Sequence, residues 1–155
     1  MEYQFAELVL SAQLRMRDAG LKPGDNVTIN ACTDNYPVLV QAYFTAAAGL
    51  GLDPVLIIHK APARFGGVSD VIVEAHASAD VMVELSMKSW IYHESHDRFY
   101  QKLTAHGGRV MYGDTYGWEE DVDHQIRLVP SDEVKERTRR ATPLVLGRAG
   151  RRAPA

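Results

Sequence analysis

Residues 21–35, LKPGDNVTINACTDN, decide the fold of this chain. Pro23 and Gly24 set the backbone angles of a turn. The stretch NVTINAC (26–32) that follows is β-branched and alternating, as a strand requires. Asp34 or Asn35 then caps a helix whose first turn holds Pro37, where a missing N–H costs little. A strand leading at once into a helix is the opening of a βαβ unit.

Working outward, residues 4–19 place Phe5, Leu8, Val9, Ala12 and Met16 on one helical face, and Gly20 closes that helix. After Pro37 the helix runs through VLVQAYFTAAAG, and its small residues Ala46 to Gly49 allow close packing, with Gly51 as terminator. PVLIIH (54–59) is apolar almost throughout, which predicts a strand buried on both faces. KAPARFGG (60–67) reads as a loop. Its Gly66-Gly67 pair lacks the accompanying lysine and serine or threonine of a nucleotide-binding loop. A helix over 68–78 follows, with Val68, Val71, Ile72 and Ala75 as its stripe, then the strand DVMVELS (80–86). A helix over 94–106, the strand GRVMYG (108–113) and a charged helix over 131–141 complete the order. Strands joined by helical crossovers run parallel, with helices on both faces. The expectation is one three-layer α/β domain over 1–141, flavodoxin- or Rossmann-like, with a mostly parallel sheet of four strands. Residues 142–155 lose all periodicity and read as an irregular basic tail.

The chain has 155 residues, 46% hydrophobic and 24% charged, the balance of one globular domain. No apolar run reaches membrane-spanning length, and residues 1–13 lack the basic start and apolar stretch of a secretory signal. A single cysteine, Cys32, excludes an internal disulfide framework and fits a cytoplasmic protein. Net charge is −3, but residues 135–155 carry seven basic side chains and one acid. That tail has no aromatic residue to stack on bases, which argues against nucleic-acid binding.

In an open parallel sheet, ligands bind beyond the carboxyl ends of the strands. The residues expected there are Asp34 and Asn35, His59, Lys88 and Trp90, and Asp114 and Tyr116. Together they would ring a small-molecule pocket. Cys32 with His59 and Asp34 admits a nucleophile–base–acid reading, set against plain packing of a small thiol. His93 and His96, three apart on a helix, share a face and could bind one metal. Capping of the helix by this segment is the alternative.

The succession LKPGDNVTINACTDN, an alanine-rich helix, GLGLDPVLIIH and ASADVMVELS is similar to the N-terminal half of the thermophilic-type metalloaminopeptidases. That group includes the related 2,5-dihydroxypyridine dioxygenases, and the resemblance spans roughly residues 20–112. It implies a divalent metal whose ligands lie in the family's C-terminal half, so none is carried to any residue here. It also implies a homodimer or a partner covering the missing half, and a metal-dependent hydrolase or dioxygenase as the enzyme class. A non-catalytic module binding a small molecule or a partner, and a self-contained cysteine- or metal-dependent enzyme, are the other readings.

Overall fold

A computed structural model describes residues 2–63, 66–86 and 93–113. Within them the chain alternates helix and strand: α1 (Glu2–Asp18), β1 (Asn26–Cys32), α2 (Pro37–Gly49), β2 (Asp53–His59), α3 (Asp70–Ala77), β3 (Val81–Glu84), α4 (Glu94–Ala105) and β4 (Arg109–Tyr112). The four strands form one sheet in the order β2-β1-β3-β4, with every neighbouring pair parallel. The expected α/β domain is therefore present. The helix read over 131–141 and the boundary at 141/142 lie outside the described residues.

Local chemistry explains the element ends. Gly20 and Gly51, both with φ of 74°, end α1 and α2. Each supplies the paired bonds of a Schellman close, with Leu21 N donating to Met16 O and Leu52 N to Ala47 O. The expected cap of α2 is corrected. Tyr36 is the N-cap residue and makes no side-chain cap bond, while Pro37 occupies the first turn. Asn35 is spent elsewhere, as described below.

Because paired residues of parallel strands share a face, register assigns the two sides of the sheet. Val27, Ile29, Ala31, Val81, Val83, Leu85 and Met111 pack under α1 and α2 in the main core. There Leu8, Ala12 and Met16 are buried, as their spacing predicts, and a Cβ on Gly49 would meet the Gln13 side chain at 2.8 Å. The opposite face carries Thr28, Asn30, Cys32, Met82, Glu84 and Ser86 beneath α3 and α4. Its apolar cluster is small: Val73, Met82, Phe99 and Leu103, flanked by Val68 and Val110.

Two expectations fail here. The 54–59 strand is not buried on both faces. β2 is an edge among the described residues, and Val55 and Ile58 are 54% and 60% exposed. An apolar run shows that a strand is present, but not its place in the sheet. In α3 the expected stripe is also displaced. Val71 is 75% exposed, and the buried face is Val73 with His76, because the helix begins at Asp70 and His76 finds a polar partner below it.

Candidate functional site

From β1 the chain crosses by α2 to β2 on one side, and β3 lies on the other. The carboxyl ends of β1 and β3 therefore flank the point where strand order reverses, the usual crevice of such sheets. Near those strand ends lies a buried polar network. Asn30 and Glu84 are cross-strand partners on adjacent strands, and both are fully buried. Asn30 Nδ2 donates to Glu84 Oε2 at 3.0 Å and to Ser86 Oγ at 2.9 Å. Ser86 turns back on the same carboxylate, its N–H donating to Glu84 Oε1 at 2.6 Å and its Oγ–H at 2.8 Å.

With its Nδ2 committed to these acceptors, Asn30 presents Oδ1 to His76 Nε2 at 3.0 Å. This fixes the proton of His76 on Nε2 and leaves Nδ1 as a bare acceptor. Nδ1 is buried and meets no hydrogen-bond partner among the described residues. Burial, reinforced by the charge of His59, pushes the His76 pKa down to about 4, so the ring is neutral near pH 7. A buried carboxylate and a neutral imidazole are thus held on the two ends of one amide.

The rim above is built by turns. Asn35, 7% exposed, accepts the Cys32 N–H on Oδ1 at 2.6 Å and donates Nδ2 to Leu85 O at 2.9 Å, so it ties the β1 turn to the end of β3. Asp34 beside it is exposed. His59 ends β2 opposite Cys32, half-buried, with Nδ1 donating to Lys60 O at 2.9 Å. Thr33 Oγ1 accepts the Ala61 N–H at 3.1 Å, which joins the loops after β1 and β2. At the end of β4, Gly113 N donates to Glu84 O at 2.9 Å. A Cβ at Gly113 would press on Leu85 Cδ2 at 2.9 Å, so β3 and β4 close tightly there. Lys88, Trp90, Asp114 and Tyr116 lie outside the described residues.

Cys32 is buried at the end of β1. Burial raises its thiol pKa, and the carboxylates of Asp34 and Glu84 push the same way, against the backbone N–H groups of Asp34 and Asn35. His93 is the N-cap of α4, and its Nδ1 accepts the Ser95 N–H at 3.1 Å. Ser95 Oγ in turn accepts the Val68 N–H at 3.2 Å. A Cβ on Gly67 would collide with the His93 ring, so only glycine lets this loop approach. His96, 9% exposed, packs edge-on to Phe99 and stacks on Tyr100 with centroids 6.4 Å apart. One histidine caps the helix and the other packs against aromatic rings. Among the described residues no three His, Cys, Asp or Glu side chains are grouped to hold a metal ion.

Two clefts are lined by other described residues. One of about 340 Å³ runs along α4 and β4 between Asp97, Tyr100, Arg109 and Tyr112. The other, about 470 Å³, lies between α3 and α4 beside Glu74 and Lys102. Both are shallow and surface-bound. The strand ends around Asn30 and Glu84 have the stronger chemical claim, because the polar groups there are buried and mutually oriented.

Sequence reading passed over Asn30, His76 and Glu84. The signal was available: an amide and a carboxylate inside NVTINAC and DVMVELS, each flanked on both sides by apolar residues.

No family model matches the chain, and no curated protein matches it. Among solved structures it is similar to a 2,5-dihydroxypyridine dioxygenase from Pseudomonas putida, with a TM-score of 0.57 and 14% identity. The match covers 70% of this chain and 34% of that one, so the chain spans about a third of its structural neighbour. At that identity the likeness is one of fold.

Proposed function

We propose that this domain lines a small-molecule crevice at the ends of β1 and β3, within a dioxygenase-like protein or assembly. The observation that carries the reading is the Asn30–His76–Glu84–Ser86 network near those strand ends. Buried ionic groups are a poor way to stabilise a core, since apolar residues of the same volume do as well or better. Their presence under a topological switch point is what a ligand-binding rim would need. The likeness of fold to a 2,5-dihydroxypyridine dioxygenase supports the dioxygenase branch of the resemblance.

The residues described do not fit the divalent metal that the resemblance implies, and no step through a metal follows from them. In this reading the chain contributes shape and orientation. Asp34 offers an exposed carboxylate to a hydroxyl or ring N–H of a ligand, while Asn35 and Ser86 hold the two strand ends at fixed separation. The metal-bearing residues come from elsewhere.

Calorimetric titration of the full chain with 2,5-dihydroxypyridine, without added metal, tests this. Saturable binding is expected, weakened at least about tenfold by Asp34→Ala, as loss of a charged hydrogen-bond partner implies. No binding at millimolar ligand would overturn the assignment. One equivalent of transition metal retained after desalting would replace it with a self-contained metal enzyme.

A further inference from the structure

We propose that the loop before α3 is held on the start of α4 by a proton-sensitive latch, with His93 as the sensing side chain. This goes beyond the strand-end reading above and does not depend on it.

The latch is an unbroken run of hydrogen bonds. Val68 N–H donates to Ser95 Oγ at 3.2 Å, and the Ser95 hydroxyl donates in turn to His93 Nδ1 at 3.1 Å. The same nitrogen accepts the Ser95 N–H at 3.1 Å, which is the cap bond of α4. Both bonds need the Nδ1 lone pair, so the ring that fits is neutral and carries its proton on Nε2. α3 has no such tie of its own, because its N-cap residue Ser69 makes no side-chain cap bond. The start of α3 therefore leans on the cap of α4. The segments after β2 and β3 both leave the sheet at strand carboxyl ends, and the latch bridges them there.

A proton on Nδ1 would set a ring N–H against the Ser95 N–H and O–H. The helix start loses its acceptor, and the imidazolium meets the positive end of the helix dipole. Relief requires the ring to turn. Gly67 keeps it from turning alone: a Cβ on that residue would stand 2.2 Å from Nδ1 and 2.4 Å from Cε1. Ring and loop therefore move together, and Val68 leaves Ser95 with them. The latch is closed with the ring neutral and opens as pH falls through the imidazole range, about pH 8 to 5. His93 is half-buried, so solvent reaches it.

Among the described residues, the loop from Gly66 to Ser69 brings no titratable group to the ring, and the first acid of α3 is Asp70. On α4 the neighbours in sequence are Glu94, His96 and Asp97, whose two acids favour the charged ring. Burial holds the His96 ring below the usual imidazole range, against the pull of Asp97, so His96 stays neutral where His93 responds.

Amide hydrogen exchange of the full chain by NMR, corrected for the intrinsic pH dependence of exchange, tests the latch. The Val68 protection factor should fall at least about fivefold between pH 7.5 and 5.5, the scale of one hydrogen bond. His93→Asn keeps a good cap acceptor but does not titrate, so its protection should be equal at the two pH values. Gly67→Ala drives a methyl group into the ring and should lower Val68 protection at both. Equal wild-type protection at the two pH values overturns the proposal, as does a Val68 amide unprotected throughout or indifferent to Gly67→Ala. A fall with pH that survives in His93→Asn assigns the effect to another group and overturns it as well.

Discussion

The two faces of the sheet are built on different principles. Under α1 and α2, eighteen buried apolar residues form one continuous cluster. Under α3 and α4 four of the described residues do, beside the polar Asn30, His76, Glu84 and Ser86. The first face is held by burial of apolar area, which is non-directional and tolerant of small adjustments. The second is held by hydrogen bonds whose loss strands a buried partner. The contrast teaches where stability and specificity reside: one face makes the fold, and the other poises charged and polar groups beneath the strand ends.

The sharpest way to break that contrast is at its hub. Asn30→Ala should cost about 3–5 kcal/mol in denaturant unfolding, because it leaves the Glu84 carboxylate and the His76 N–H short of partners at once. A loss below about 1 kcal/mol would mean that the network is not closed around Asn30. On the apolar face, Leu8→Met should cost under about 1.5 kcal/mol, since volume is kept.

A pH titration separates the faces next. The folded pKa of His76 is depressed to about 4, so the unfolded chain binds the proton more readily. Stability from this group is fully present above about pH 6.5 and is lost as pH falls toward 4. The loss reaches about 3 kcal/mol. His76→Leu should flatten the curve between pH 6.5 and 4. An unchanged slope would show that other groups govern it.

Smaller effects sharpen the boundary between buried and exposed polarity. Cys32 should react with iodoacetamide at pH 7.5 at least about tenfold more slowly than free cysteine, because its thiolate is disfavoured. Rapid modification would restore the nucleophile reading. The Arg98–Asp70 ion pair at 2.9 Å joins α4 to α3 but is half exposed or more on both sides. Arg98→Ala should therefore change stability by about 0.5 kcal/mol or less, and a larger loss would give the outer surface of these helices a structural role.

Much of the fold was legible because its signals are local. The Pro-Gly turn before β1, Gly20 and Gly51 at helix ends, and Leu8, Ala12 and Met16 at helical spacing act within a few residues of themselves. The site was legible only as a location. Asn35 and His59 stand at the strand ends where expected, but Asn35 braces β1 to β3 instead of capping α2, and His93 caps α4 through Nδ1.

By itself the sequence determined the alternation of helices and strands, and with it a parallel sheet covered on both faces. Tertiary structure alone decided that β2 is an edge among the described residues, that Val71 is exposed while His76 is buried, and that Asn30 meets Glu84 across 54 residues. Periodicity records which side of an element a residue occupies, but not what lies opposite. The partner of a buried polar group is chosen by strand order and register, and those are properties of the assembled sheet.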